Sequence, residues 1–527
     1  MPKGTTLEFQ RSEEERLTTV EAQEAKAQGS GSALLGRGQA GRRPRGQDRD
    51  SRRSRRGRPL PRQPAPLGAR DPGRALLRGG LREGRRSRWR PGCGRGPAQA
   101  GRRRTARGRG RERTSGVTPQ RRGSSVDADR HDPGGREVIQ YRHRSGILDL
   151  GWGHPDPDLL PADEWSRAWS RAVRRWGHQL LTYGHGPGPI PFRRWLGERL
   201  GETDAHPVDP DEIVVTAGAS HALDLLATAH TRRGDLVLVQ SPTYHLAMRI
   251  LADHGLVPMA MTPDRGGLGI DVAATADRAH DACARGRRIS MIYVVGTFAN
   301  PTGRSLAADQ GAALANLAEE LGAVIVEDDT YRELALAGDA PRSLQSAHPS
   351  SGVARIGSLS KVLAPALRIG WITGPVEIVG PVSGGGLLDS GGGVSHANAL
   401  TAVEFASGGG FDSHVATLRE AYRGRRDALV AGLHRHCPDL DFEIPDGGWF
   451  LWVETPKVGQ GTDWSTRAER QGVAFLPGTT FAPGDDSVGT RATLEQRIRL
   501  SFSLLSTAEL QEAALRLGRA FSVDGRD

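Results

Sequence analysis

From about residue 137 onward, short apolar runs alternate with longer stretches in which apolar positions recur at a helical period. Continuous apolar runs are typical of strands buried on both faces, and helices between them favour parallel β-α-β units. The sequence therefore predicts an α/β fold with a mostly parallel sheet covered by helices. The predicted strands are Ile213–Val215, Leu236–Val239, Ile289–Val295, Val324–Val326, Val353–Ile356 and Ile369–Thr373, and two predicted helical stretches are Ala222–Ala229 and Ala308–Leu321.

The last part of the chain has a different pattern. Residues 402–521 contain long helical segments, followed by the run 449–453 and the run 497–502, a mixture that predicts a smaller α+β domain. Within residues 137–521 we expect a large domain at about 180–400, with 137–179 and 401–521 forming the small domain. The glycine-rich insert at 384–393 is expected to be flexible, either as a mobile gate near the active site or as a loose connection.

The first 136 residues are dominated by Arg, Gly and Pro and show no sustained period. They hold 35 Lys+Arg against 14 Asp+Glu, a net charge of +21, whereas the remaining residues hold 37 against 47, a net of −10. Such a segment cannot bury enough apolar area to order itself, so we predict a disordered basic tail. Three accounts stay open: nucleic-acid binding, a solvated tail without a role, or translation upstream of the true start or out of frame. The last two are favoured over nucleic acid.

Cysteine usage and hydropathy argue against a metal-binding, disulfide-rich, secreted or membrane protein. Cys93, Cys283 and Cys437 are far apart and form no Cys-x-x-Cys pair, so neither a metal site nor a disulfide framework is expected, in keeping with a reducing cytoplasm. The first thirty residues carry several glutamates and no apolar core, unlike a signal peptide. No apolar run approaches the roughly 20 residues that a membrane helix needs, so no membrane is expected as a partner.

One lysine lies just after a predicted strand. Lys361 ends the segment Ser358-Leu359-Ser360-Lys361, and Arg368 follows seven residues later. A lysine that forms a Schiff base needs a fixed approach, a neutral fraction, and an anion-binding group near the phosphate of its partner. The flanking hydroxyls and the arginine meet that description. An ordinary surface lysine is the competing interpretation.

Four further motifs also follow predicted strands. The small-residue turn 216–223 opens a helix, and its backbone N–H groups could approach a phosphate. Tyr244, in Pro-Thr-Tyr, could stack on a planar ring. Asn300, in Asn-Pro-Thr-Gly, could donate its amide to a phenolate oxygen. For each of them a plain turn or a packed aromatic is the alternative.

The fourth motif is the acidic run that ends the strand at Val326. A carboxylate at such a position faces the crevice in which α/β sheets bind ligands. Asp328 could pair with a pyridinium nitrogen and keep it protonated, and Tyr331 could reach the same oxygen as Asn300. A solvated acidic loop is the alternative.

These motifs occur in one order, each at a strand end, and in that combination the chain resembles the class I/II aminotransferases of the fold type I pyridoxal-phosphate enzymes. It is similar in particular to the branch that holds 2-aminoadipate and kynurenine aminotransferases and the aminotransferase-like part of MocR regulators. The resemblance covers residues 137–521. It implies pyridoxal 5'-phosphate as cofactor, an amino acid and a 2-oxo acid such as 2-oxoglutarate as substrates, and a homodimer.

The resemblance also implies residue roles. Lys361 would form the Schiff base and act as the general base, Asp328 would hold the pyridine nitrogen, and Tyr331 would contact the ring oxygen; these three are the expected catalytic residues. Tyr183 matches a tyrosine that reaches the phosphate of the neighbouring subunit. The residues expected to bind the cofactor are Ala219, Ser220, Tyr244, Asn300, Asp328, Tyr331, Ser358, Ser360, Lys361, Arg368 and Tyr183.

For the substrate, the resemblance implies Arg499 as the clamp on the α-carboxylate, because a planar guanidinium suits a bidentate pair. Arg497 is the competing choice. Gly153, in an N-terminal loop, and Asn300 are the other expected substrate contacts. His221 and Ala219 stand where many relatives have Gln or Ser, which suggests that backbone groups hold more of the phosphate here.

Two other functions stay open from the residues. The same fold supports other pyridoxal-phosphate chemistry, such as that of a β-lyase or a decarboxylase. A DNA-binding regulator of the MocR kind would join a winged helix to this domain, but residues 1–136 show no recognition-helix period. A transaminase is the function that the motifs favour.

Overall fold

A computed structural model describes residues 144–204, 208–456, 463–484 and 488–522. The predicted disordered tail, residues 1–136, lies outside the described residues and stays a prediction. Within the described residues none of the helices is long and apolar enough to cross a membrane.

The described residues form thirteen strands. These are β1 (Leu148–Asp149), β2 (Ile213–Thr216), β3 (Leu236–Val239), β4 (Val257–Ala260), β5 (Ile289–Val295), β6 (Val324–Asp328), β7 (Val353–Ser358), β8 (Gly370–Thr373), β9 (Asp441–Phe442), β10 (Phe450–Glu454), β11 (Val473–Ala474), β12 (Leu476–Pro477) and β13 (Arg497–Ser501).

The same part of the chain forms fourteen α-helices. These are α1 (Ala162–Trp176), α2 (Ile190–Asp204), α3 (Ala219–His230), α4 (His245–Asp253), α5 (Val272–Ala284), α6 (Ala308–Leu321), α7 (Leu344–Ala347), α8 (Val376–Ser383), α9 (Gly386–Gly391), α10 (His396–Ala406), α11 (Gly410–His436), α12 (Trp464–Arg470), α13 (Arg491–Glu495) and α14 (Thr507–Phe521).

Seven strands form the large sheet, in the order β2-β8-β7-β6-β5-β3-β4. Only β8 runs against its neighbours, and the other strands are parallel. The predicted mostly parallel sheet is therefore confirmed, together with all six predicted strands. The edge strand β4 was missed because it contains Pro258 and is only partly buried, which weakens the strand pattern.

The sheet is buried on both faces, as its apolar runs predict. Alternate residues of β5 enter two different cores: Met291, Tyr293 and Val295 pack on one face, and Ile292 and Val294 on the other. Residues of a strand point alternately to opposite faces, so only a sheet with helices on both sides can bury the whole run.

The smaller sheet has four antiparallel strands in the order β12-β13-β10-β9, and α11 and α14 belong to the same part of the chain. This is the expected α+β region. The N-terminal strand β1 pairs in parallel with β11, so the first described residues join the last part of the chain. The numerical division at residues 180 and 400 stays a prediction.

The glycine-rich insert is more ordered than the sequence suggested. Residues Gly386–Gly391 form a short helix, Leu388 is fully buried, and the Gly393 N–H donates to the Leu388 carbonyl over 2.8 Å. One apolar side chain anchors the segment, whereas the local composition alone indicated only flexibility.

Candidate active site

The carboxyl ends of the central strands meet around one cavity of about 950 Å³. Asp328, the last residue of β6, lies between Val295 of β5 and Ile356 of β7 in the register of the sheet. Ser358 ends β7 opposite Gly370. The predicted site residues that line this cavity are Gly153, Ala219, Ser220, Tyr244, Asn300, Asp328, Tyr331, Ser358, Ser360, Lys361, Arg368 and Arg499.

Lys361 lies on a single tight turn, Leu359–Lys361, that follows β7. Its Nζ donates to the Gly153 carbonyl over 3.4 Å and lies 4.7 Å from the centre of the Trp449 ring. Burial, reinforced by the positive charge of Arg499, lowers the pKa of Lys361 to about 8. About a tenth of this amine is therefore neutral and nucleophilic at pH 7, far more than for an ordinary lysine.

Glu327 and Asp328 end β6 and Asp329 follows it, and of these three acids only Asp328 lines the cavity. Glu327 accepts the N–H of Leu344 over 2.7 Å at the start of α7, and Asp329 accepts from the Arg355 guanidinium over 2.7 Å. Those two carboxylates are taken up by buried groups of the fold and do not line the cavity. Asp328 is left to face a ligand, as the alternation of side chains along a strand requires.

Asp328 is held by a residue that lies outside the sequence motifs, Tyr293. The Tyr293 hydroxyl on β5 donates to Asp328 Oδ2 over 2.8 Å, and the Thr330 N–H donates to Oδ1 over 3.3 Å. Burial raises the pKa of Asp328, while the bonds from Tyr293 and Thr330 lower it. The signal in the sequence was a tyrosine in a strand whose one other polar residue is Ser290.

Arg499 and Asn300 form one unit although 199 positions separate them. Arg499 Nη1 donates to Asn300 Oδ1 over 2.7 Å, and Nη2 donates to the Gly151 carbonyl. The guanidinium lies 4.1 Å from the Phe450 ring centre, and burial lowers its pKa to about 10. Its Nε is buried without a hydrogen-bond partner among the described residues, so one donor remains for a ligand.

Arg497, the competing arginine, does not line the cavity. It forms an ion pair with Glu454 over 2.6 Å along the β10–β13 edge. The structure therefore places Arg499, and not Arg497, where a substrate carboxylate could bind.

The other end of the cavity is built for an anion. Arg368 Nη2 donates to the Ala217 carbonyl over 2.7 Å, and Nη1 donates to Ser360 Oγ over 3.4 Å. Gly218 has φ +88°, and a Cβ there would lie 2.3 Å from Arg368 Nη2, so only glycine lets the turn and the guanidinium approach. Ala219 and Ser220 follow as the first residues of α3.

His221 also belongs to this turn. Its Nδ1 accepts the Ala217 N–H over 3.0 Å, and burial lowers its pKa, which favours the neutral ring that such an acceptor needs. Because Arg368 donates to the Ala217 carbonyl, both backbone polar groups of Ala217 are fixed. The departure at His221 thus serves the backbone of the turn.

Aromatic rings surround the lysine. Tyr331 makes edge-on contacts with Trp449 and Phe450, with ring centres 5.7 and 5.9 Å apart. Tyr244 directly precedes α4. Burial raises the pKa of its hydroxyl to about 12, so the side chain is neutral near neutral pH. A Cβ on Gly153 would lie 2.8 Å from the Phe450 ring, so a larger residue at this position would collide with the ring.

Tyr183 is the one predicted site residue that the structure keeps apart from the cavity. Its side chain is 83% exposed, and Leu181 beside it is 75% exposed. That position is compatible with a contact to a second subunit, which the resemblance implied.

The residues present fit pyridoxal 5'-phosphate. A lysine of lowered pKa, a buried carboxylate and an arginine beside a close-packed turn supply the three groups that its aldehyde, ring nitrogen and phosphate require. Among the described residues no cluster of His, Cys, Asp and Glu could hold a metal ion.

The comparisons agree with this geometry. The sequence profile of the family "Aminotransferase class I and II" matches residues 145–517. The 2-aminoadipate transaminase of Thermus thermophilus is 31% identical over 394 residues, 73% of this chain and 92% of that protein. The uncharacterized HTH-type transcriptional regulator YisV of Bacillus subtilis is 26% identical over 71% of this chain and 73% of its own length. The Pyrococcus horikoshii kynurenine aminotransferase, solved with PMP, matches with TM-score 0.64 and 27% identity over 72% of this chain and 91% of that one.

Proposed function

This chain belongs to the aminotransferase class I and II family, and we propose that the residues around Lys361 move the amino group of an amino acid to a 2-oxo acid. The resemblance that the motifs indicated is confirmed, and the chain is a pyridoxal-phosphate-dependent transaminase. The roles of individual residues and the identity of the two substrates are proposals. The single observation that supports them best is one cavity lined by Lys361, Asp328 and Arg499.

The cofactor's ring, when bound, withdraws electrons from the bonds at the substrate's Cα. Asp328 would hold the ring nitrogen, and Asn300 and Tyr331 would contact the ring oxygen. Arg368, with Ser358, Ser360 and the first residues of α3, would hold the phosphate. Tyr244 would pack against the ring.

The chain's own part in the chemistry is proton transfer. Lys361 Nζ would take the proton from the substrate's Cα and later return a proton, for which a pKa of about 8 suits the operating range. The aromatic wall of Tyr331 and Trp449 excludes water from the amine and keeps that pKa low.

Arg499 orients the substrate. Its guanidinium already lies between Asn300 and the Gly151 carbonyl, packed on Phe450, so little ordering is needed when a carboxylate binds. Gly153, whose carbonyl contacts Lys361, lies beside this subsite. A carboxylate held here presents its Cα to the lysine.

We further propose a homodimer in which the exposed Tyr183 reaches the phosphate of the other subunit, and we place the enzyme in the cytoplasm. The dimer is supported by Tyr183, a predicted site residue that is 83% exposed. Isolated cysteines support the location.

The test of the function is Lys361→Ala. The wild-type protein supplied with pyridoxal 5'-phosphate should be yellow and should convert an amino acid to its 2-oxo acid, and the variant should lose both properties while its thermal unfolding stays close to that of the wild type. A colourless variant with full activity would contradict the proposal. Release of ammonia or carbon dioxide in place of amino transfer would assign a lyase or a decarboxylase instead.

A further inference from the structure

The first turn of α10 contacts the segment that carries Arg368, the residue proposed to bind the cofactor's phosphate. Ser395 Oγ donates to the Arg368 carbonyl over 2.5 Å, and Asn398 Nδ2 donates to the Leu367 carbonyl over 2.9 Å. Both of these polar residues lie outside the cavity lining. Two side chains beyond the cavity therefore hold two successive carbonyls of the phosphate-binding segment.

Arg368 needs such support because of its backbone conformation. Its φ is +52°, in the left-handed region that is disfavoured for a residue with a Cβ. Arg368 is also exposed, so packing around its side chain does not fix the guanidinium. Its direction into the cavity depends on the backbone, and a left-handed residue persists where its surroundings restrain it.

Ser395 stands at the N-cap position of α10 but does not act as a cap. A serine at this position ordinarily accepts an N–H of the first helical turn. The Ser395 hydroxyl instead caps none of the described N–H groups of α10, and its own φ is +54°. The hydroxyl is turned toward Arg368, so its hydrogen bond stabilises the phosphate-binding segment and not the helix.

The helix α10 is itself anchored well enough to act as a support. His396 Nε2 lies 3.0 Å from the Gln179 carbonyl oxygen, and Ala399 and Leu400 are buried. A turn that is held by a hydrogen bond on one side and by apolar packing on the other can restrain an exposed neighbouring segment.

We propose that Ser395 and Asn398 are positioning residues for the phosphate subsite. They fix the backbone of Arg368 so that its guanidinium stays between the Ala217 carbonyl and Ser360 Oγ, where a phosphate can bind. Pre-organisation of this kind lowers the ordering cost of binding. The inference rests on the proposed function, because it takes Arg368 to bind the phosphate of pyridoxal 5'-phosphate.

The test compares pyridoxal 5'-phosphate with pyridoxal, which has the same aldehyde and ring but no phosphate. Both dissociation constants are measured on the cofactor-free full-length protein from the absorbance of the yellow form. Wild type should bind the phosphate compound more tightly. Ser395→Ala should weaken that binding about fivefold, the effect of losing one neutral hydrogen bond, and leave pyridoxal binding unchanged. Asn398→Ala should show the same selective loss.

Two more variants separate the hydroxyl from its surroundings. Ser407→Ala is the matched control, because Ser407 lies just beyond the other end of α10 and its hydroxyl also donates to a carbonyl, that of Glu404, over 2.8 Å. It should bind both compounds as wild type does. Ser395→Gly lacks the hydroxyl, but glycine adopts a φ of +54° without strain, so the turn is retained. It should show the same selective loss as Ser395→Ala.

The outcomes distinguish the inference from the proposed function. If wild type prefers the phosphate compound and both Ser395 variants keep that preference in full, the inference alone is overturned. It is also overturned if the variants weaken the binding of both compounds by the same factor, because a general loosening of the site would do that. If wild type itself shows no preference for the phosphate compound, the proposed phosphate subsite at Arg368 fails and the inference fails with it.

Discussion

The hydrogen bond between Tyr293 and Asp328 allows a sharp test of how the site holds its central carboxylate. Both groups are buried, and the tyrosine side chain is fully shielded from water. Tyr293→Phe removes only the hydroxyl, which leaves the ring packing in β5 unchanged and leaves Asp328 with the hydrogen bonds from Thr330 alone.

A hydrogen bond to a charged group contributes about 1.5–3 kcal/mol, so we expect Tyr293→Phe to lower the free energy of unfolding of the cofactor-free protein by that amount. The matched control is Tyr422→Phe. Tyr422 is equally buried, but its hydroxyl has no hydrogen-bond partner among the described residues, so its removal should cost roughly 0 kcal/mol or stabilise the protein slightly.

The pH dependence of this difference has a definite sign. The Tyr293 hydroxyl favours the ionised form of Asp328, so the pKa of Asp328 is higher in the variant than in the wild type. The destabilisation is therefore fully present at pH values above the raised pKa of the variant, and it shrinks as pH falls and both proteins bind the proton. Urea unfolding across this range measures it. Equal stabilities for Tyr293→Phe and wild type at every pH would refute the reasoning.

Two further outcomes test other parts of the site. Cofactor-free protein should react with pyridoxal 5'-phosphate at a rate that rises with pH and levels off above about pH 8. The reason is that the neutral amine of Lys361 is the nucleophile and its pKa is lowered to about 8. A rate that keeps rising up to the pKa of an ordinary lysine would contradict this. Gly218→Ala should weaken cofactor binding, because the new Cβ would lie 2.3 Å from the Arg368 guanidinium. The control is Gly234→Ala, at a position with φ +91° and open space around it. It should lower the free energy of unfolding by about 1–3 kcal/mol and leave cofactor affinity unchanged. Similar cofactor affinities for the two variants would refute the role of the turn.

The sequence was most informative about features that depend on residues close together in the chain. The run Ile289–Val295 is apolar except for Ser290 and the Tyr293 hydroxyl, which favours burial on both faces, and the structure gives it those bounds. The motifs at strand ends were also local, because parallel strands that cross over through helices bring their carboxyl ends to one edge. For that reason Asp328, Ser358 and Lys361 could be expected in one place.

What the sequence could not decide depends on residues that are far apart in the chain. The preference for Arg499 over Arg497 follows from the pairing of Arg497 with Glu454, and the support of Asp328 by Tyr293 follows from the register of β5 on β6. The contacts of the Phe481 ring with His245 and with Arg499 likewise join segments that are far apart in the chain. Composition and spacing determine which segments form strands and helices, but the contacts between them depend on register and on the packing of whole elements. Only the tertiary structure sets those.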